Sequence, residues 1–138
     1  MDSIFTHEST ALFFVRLFTG ILFLLQGYDK IFKMGMRSLI DTISPSYINL
    51  GIPFSLIRLF AYFTSYIELI AGLLLVVGLL KYPALYALEL DLLVAATGMA
   101  LLNPMWDMRH VFPRLILVTF LIIYPSAPDL IALDHIIF

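Results

Sequence analysis

Residues 57–80 read IRLFAYFTSYIELIAGLLLVVGLL, and in that whole stretch only Arg58 and Glu68 carry charge. About 20 consecutive apolar residues are enough to cross the hydrocarbon core of a bilayer as a helix. The run therefore reads as a membrane span with a carboxylate near its centre. Working outward, residues 11–32 form a second such run, interrupted by Arg16, Gln26, Asp29 and Lys30, and residues 84–102 form a third, closed by Asn103, Pro104 and Trp106. A fourth covers residues 110–126, with Pro113 tolerable in its first turn, where a helix lacks amide partners anyway. Lys81, Tyr82 and Pro83 make so short a link that the runs on either side of it must be antiparallel neighbours.

Only helices and closed barrels satisfy backbone polar groups in lipid, and the period-two alternation of a barrel strand is absent. The expected fold is all-α: an integral membrane four-helix bundle forming one domain over residues 1–138. In the longest connection Met36, Leu39, Ile40 and Ile43 recur at helical spacing, with Arg37, Ser38, Asp41 and Thr42 on the other face. That pattern predicts a short interfacial helix in the first loop. The first run is not read as a signal peptide, because residues 1–10 contain no Lys or Arg. Residues 127–138 are apolar except for Asp129, Asp134 and His135, and are expected to lie on the surface or dock on a partner.

Composition narrows the functional classes. Of 138 residues, 62% are hydrophobic and 13% charged, against about a quarter charged in soluble domains; an ordinary soluble enzyme is excluded. Ten acidic and eight basic residues, with no basic patch, argue against a nucleic-acid partner. The chain has no cysteine, which removes thiol catalysis, disulfide exchange and iron–sulfur ligation. No phosphate-binding glycine loop or nucleophile elbow occurs. No Glu-x-x-His pattern suggests a di-metal centre, so no metal is expected. His7, His110 and His135 never share a span, which makes haem a poor fit.

Charge inside a span costs at least about 2.5 to 3.5 kcal/mol per residue and therefore needs a partner, a wet cavity or a role. Arg16, Gly20, Phe23, Gly27 and Lys30 share one helical face, as do Arg58, Ala61, Ser65, Glu68 and Gly72. These small-residue stripes are expected to face the bundle interior, with Gly20, Gly27, Ser65 and Gly72 as packing positions. Asp107, His110, Arg114, Leu117 and Leu121 share a face of the fourth run. Counting depth at 1.5 Å per residue places Arg16 level with Glu89 and Asp91, which point about 200° apart, so Arg16 is expected to pair with one of them. Arg114, Arg58 and Lys30 are expected to cluster at the other membrane side with Asp29 and Asp107. Glu68 lies between these layers, with Gln26, Tyr62 and Tyr66 as its candidate hydrogen-bond partners. The polar core thus comprises Arg16, Gln26, Glu68, Glu89, Asp91 and Arg114, as ion pairs that fix helix register or as contacts to a ligand.

These residues carry a resemblance. Arg16, Leu17, Gly20, Phe23, Gly27 and Lys30 are similar to the R-L-x-x-G-x-x-F-x-x-x-G-x-x-K opening of the DoxX family of small four-helix bacterial membrane proteins, which includes the DoxD-type subunit of thiosulfate:quinone oxidoreductase. Gly51, Ile52 and Pro53 before the second run, Glu68, Gly72, Leu75 and Gly78 within it, and Leu133 with Asp134 in the tail resemble further family patterns. Where many members have a basic residue followed by Asn, this chain has Arg109 and His110. The resemblance implies a multi-pass protein of the bacterial cytoplasmic membrane, associated with oxidoreductase or respiratory components. The basic-residue count puts both termini outside, whereas the resemblance implies cytoplasmic termini, and orientation stays open.

The leading expectation is a membrane subunit of a redox-linked or other envelope complex, in contact with lipids and with protein subunits or further copies of itself. It has no covalently bound cofactor, and a quinone or lipid would meet Arg16 or Glu68. The alternatives are a structural accessory subunit without chemistry and, third, a small transporter or proton-conducting bundle.

Overall fold

The computed structural model describes residues 7–102, 109, 111–124 and 133–137. Helix α1 (His7–Tyr28) passes through a π-helical segment (Asp29–Gly35) into α2 (Met36–Ile48), followed by α3 (Phe54–Val77), α4 (Lys81–Leu102), α5 (Val111–Ile123) and a short α6 (Leu133–Ile137). α1, α3, α4 and α5 close a ring in which α1 lies along α3, α3 along α4, α4 along α5, and α5 touches α1. The helix that carries α1, α3 and α4 are each long and apolar enough to cross a membrane, whereas α5 is a shorter apolar helix of 13 residues. The expected all-α membrane bundle is therefore present. Asn103, Pro104, Trp106, Asp107, His110, Pro125, Ser126 and Asp129 lie outside the described residues.

Burial follows the stripes read from the sequence. On α1, Arg16, Gly20, Phe23 and Gly27 are buried, and on α3 Ala61, Ser65, Glu68, Gly72 and Leu75 are. Their outward faces hold Phe14, Phe18, Leu25, Leu59, Ile70 and Leu73, all exposed, as expected where lipid and not water is the solvent. The α1–α3 seam is held at backbone contact by glycine. A Cβ on Gly27 would lie 2.5 Å from the backbone nitrogen of Leu69, and one on Gly20 would lie 2.8 Å from that of Val76. This is the close small-residue packing that drives association in lipid, where burial from water cannot. Phe23, Leu75, Leu85, Leu88, Val118 and Leu121 fill the space at the centre of the ring.

Helix ends decide the connections. α3 stops where Gly78 takes a left-handed conformation (φ 78°), and the amides of Gly78 and Leu79 both return to the Leu74 carbonyl. A residue with a Cβ disfavours that geometry, which is why glycine ends so many helices. α4 then starts at Lys81, with Pro83 in its first turn. The interfacial helix α2 extends beyond the periodic residues to Ile48 and takes Pro45 into its last turns. Of the tail, expected on the surface or against a partner, residues 133–137 are described; there α6 meets the chain's own α3–α4 turn, where the Asp134 amide donates to the Gly78 carbonyl (3.1 Å).

Candidate functional site

Two polar layers cross the bundle. The first surrounds the α3–α4 turn. The last carbonyls of a helix lack intrahelical partners and carry the negative end of its dipole, and in lipid no water replaces those partners. Arg16, 1% exposed, fills the role: its Nη1 donates to the Leu75 carbonyl at 2.6 Å and to that of Val76 at 3.4 Å. The expected pairing of Arg16 with Glu89 or Asp91 is absent. Depth counting from the ends of the apolar runs misplaced it: Arg16 stands at the α3–α4 turn, whereas Glu89 and Asp91 lie about two or more turns deeper along α4, and α1 packs mainly on α3. From the other side of the turn, the Asp134 carboxylate accepts the amides of Leu80 and Lys81, each at 2.9 Å, and so caps α4. Leu80 itself sits at φ 50°.

The second layer lies near mid-bundle and draws one ionisable side chain from each face of the ring. Lys30, in the π-helical segment, donates from Nζ to Glu68 Oε2 at 2.6 Å. Its side chain is 23% exposed and that of Glu68 4%. Lys30 is thus the partner of Glu68 that sequence did not name, in place of Gln26, Tyr62 or Tyr66. Glu68 stands ten residues before Gly78 and Asp91 ten residues after Lys81 on the antiparallel neighbour, so the two carboxylates lie at one depth. They are close enough to act on one another electrostatically, and Arg114 on α5 acts on both. Asp91 is fully buried, and neither of its carboxylate oxygens has a hydrogen-bond partner.

Other expected members go elsewhere. Arg58 is exposed and stacks over the Tyr62 ring at 5.9 Å instead of joining Lys30 and Arg114. Asp29 pairs with Lys33 on the outside at 2.9 Å. Glu89 faces α5, accepting a hydrogen bond from the Thr119 hydroxyl at 3.1 Å, which fits its expected direction away from Asp91. Gln26 is half-buried with Oε1 unbonded, and Ser65 is buried one turn before Glu68 with its hydroxyl unbonded.

Beside this layer α2, α3 and α4 flank an open-sided cavity of about 490 Å³, inside the range of small-molecule sites. Its walls are almost wholly apolar, among them Ile43 and Tyr47 of α2, Phe60 and Thr64 of α3 and Val94 and Met99 of α4. Among the described residues Lys30 is the one charged residue on the wall, and there the cavity meets the ion pair. A family model for DoxX matches residues 11–101 of the chain, which takes in α1 to α4 and with them the cavity and the Lys30–Glu68 pair.

The chain belongs to the DoxX family.

No curated protein and no solved structure matches it. The DoxX match spans Arg16, Gly20, Gly27, Lys30, Glu68, Gly72 and Asp91, while Arg114 and the Asp134 cap lie beyond it.

Proposed function

We propose that this DoxX protein is a subunit of a redox-linked or other envelope complex in the bacterial cytoplasmic membrane, and that it holds a quinone or lipid-like molecule between α2, α3 and α4. The observation that carries the reading is the apolar cavity ending on Lys30, whose ammonium is held by Glu68 at 2.6 Å. An apolar space with one fixed polar group is the ordinary design of a site for an apolar ligand with a polar head. Lys30 replaces Arg16 as the polar contact in this reading, because Arg16 is committed to the α3 carbonyls. Catalysis by the subunit alone is no part of the proposal.

The test is to purify the protein in mild detergent, extract it with organic solvent and identify what was retained by mass spectrometry. Retention of one molecule of quinone or lipid per chain, lost in a Val94→Trp variant that fills the cavity, is the expected result. Equal retention by that variant would remove the cavity from consideration.

A purely structural accessory role has its own support. Arg16 and Asp134 both serve to close the α3–α4 turn, which is register-fixing work. Under that reading the extract is empty and the protein copurifies only with its protein partners.

A further inference from the structure

We infer that the cavity selects a ligand whose head is uncharged and accepts hydrogen bonds, and discriminates against anionic lipids. The inference rests on the reading of the cavity as a ligand site. Among the described residues Lys30 is the one charged residue on the cavity wall, and an unpaired lysine there would favour a phosphate or carboxylate head. This lysine is not unpaired: Glu68 holds it at 2.6 Å, so the pair is formally neutral. An anion brought to Lys30 would find its cation already compensated and would stand close to the Glu68 carboxylate, in surroundings where repulsion between like charges is poorly screened.

A neutral acceptor meets the opposite situation. An ammonium has three N–H donors, and one of them goes to Glu68. The others can reach a carbonyl or ether oxygen without disturbing the pair. The threonine hydroxyls on the wall are turned to their own helices, Thr64 to the Ala61 carbonyl and Thr97 to that of Leu93. Tyr47 also brings a hydroxyl to the wall; Lys30 is the charged donor there, and with its remaining N–H groups it is matched to a head such as a quinone or a diacylglycerol.

The full-length protein in zwitterionic nanodiscs can be titrated with decylubiquinone and dioctanoylglycerol as neutral probes and with dioctanoylphosphatidylglycerol as the anionic one. The neutral probes should bind at least about tenfold more tightly, a difference of about 1.4 kcal/mol. Which neutral probe is preferred distinguishes a quinone from a glyceride source, and either preference supports the neutral head. Glu68→Gln frees the lysine charge and should raise the affinity for the anionic probe relative to the neutral probes about tenfold. Equal or tighter binding of the anionic probe by the wild type overturns the selectivity and leaves the cavity reading standing. An unchanged ratio in a folded E68Q protein also overturns it. Should E68Q fail to fold, the wild-type ratio decides alone. Failure of every probe to bind, with no effect of Val94→Trp, ends both readings.

Discussion

Replacing Gly72 by alanine tests the packing on which the whole bundle depends. The added Cβ would fall on the backbone nitrogen of Leu24 and lie 2.9 Å from its Cα and 3.0 Å from the Gly20 carbonyl oxygen. These are backbone atoms, so no rotamer change relieves the clash and α1 must move off α3. A separation of about 0.5 to 1 Å forfeits a quarter to a half of each dispersion contact along the seam. It also stretches the 2.6 Å bond from Arg16 to the Leu75 carbonyl to about 3.1 to 3.6 Å, at the limit of a hydrogen bond. Overpacking costs about 1 to 3 kcal/mol and loss of a charged hydrogen bond about 1.5 to 3. Against these stands about 1 kcal/mol gained from the helix propensity of alanine. Gly72→Ala should therefore destabilise by about 1.5 to 5 kcal/mol, read as a lower midpoint in SDS unfolding followed by circular dichroism. Gly98→Ala is the control. It has the same propensity gain, but its Cβ meets only the Tyr47 side chain, with the hydroxyl oxygen at 3.1 Å, and that ring can swing aside. Equal midpoints for the two variants would refute the claim that backbone contact between α1 and α3 holds the bundle.

The Lys30–Glu68 pair predicts an asymmetry. Lys30→Met strands a carboxylate that is 4% exposed and should cost about 3 kcal/mol. Glu68→Gln strands a cation that is 23% exposed and can lean toward the cavity, and should cost about 1 kcal/mol. The double variant should recover most of the Lys30→Met loss, as a double-mutant cycle in the same titration will report. Asp134→Ala removes both acceptors that cap α4 and should cost about 1 to 2 kcal/mol, with faster hydrogen exchange at the Leu80 and Lys81 amides as its local signature. Asp29→Asn breaks only an exposed pair with Lys33 and should leave the unfolding midpoint in place.

Much of the fold is written in periodicity. The glycines and the buried charges of α1 and α3 fall on the faces that spacing assigns them, because a helix fixes azimuth once its first residues are set. What spacing does not carry is which helix stands next to which. Arg16 and Glu89 match in depth only when counted from the ends of their apolar runs; packed on α3, Arg16 stands at the α3–α4 turn, so it meets carbonyl oxygens and not a carboxylate. The candidate site is legible only in its parts. Glu68, Asp91 and Arg114 are recognisable as charges in apolar runs. Lys30 is legible as the last member of the inward stripe of the first run, but its partner is not: spacing put it in a cluster with Arg58 and Arg114, whereas the π-helical segment brings it to Glu68. No residue pattern marks such a segment. The cavity is less legible still, since three elements must be assembled before it exists. Asp134 offered one signal, a lone acid beside apolar residues in the tail, but its target lies 54 positions earlier in the chain.

That last distance bears on how the protein is made. The α3–α4 hairpin enters the membrane with the first amides of α4 unsealed, and the carboxylate that seals them is not synthesised until 53 or 54 residues later. Between those moments the hairpin is an incomplete intermediate that lipid cannot stabilise through hydrogen bonds. Asp134 is thus the last piece of this turn to be made, and the start of α4 is complete only once nearly the whole chain has been synthesised.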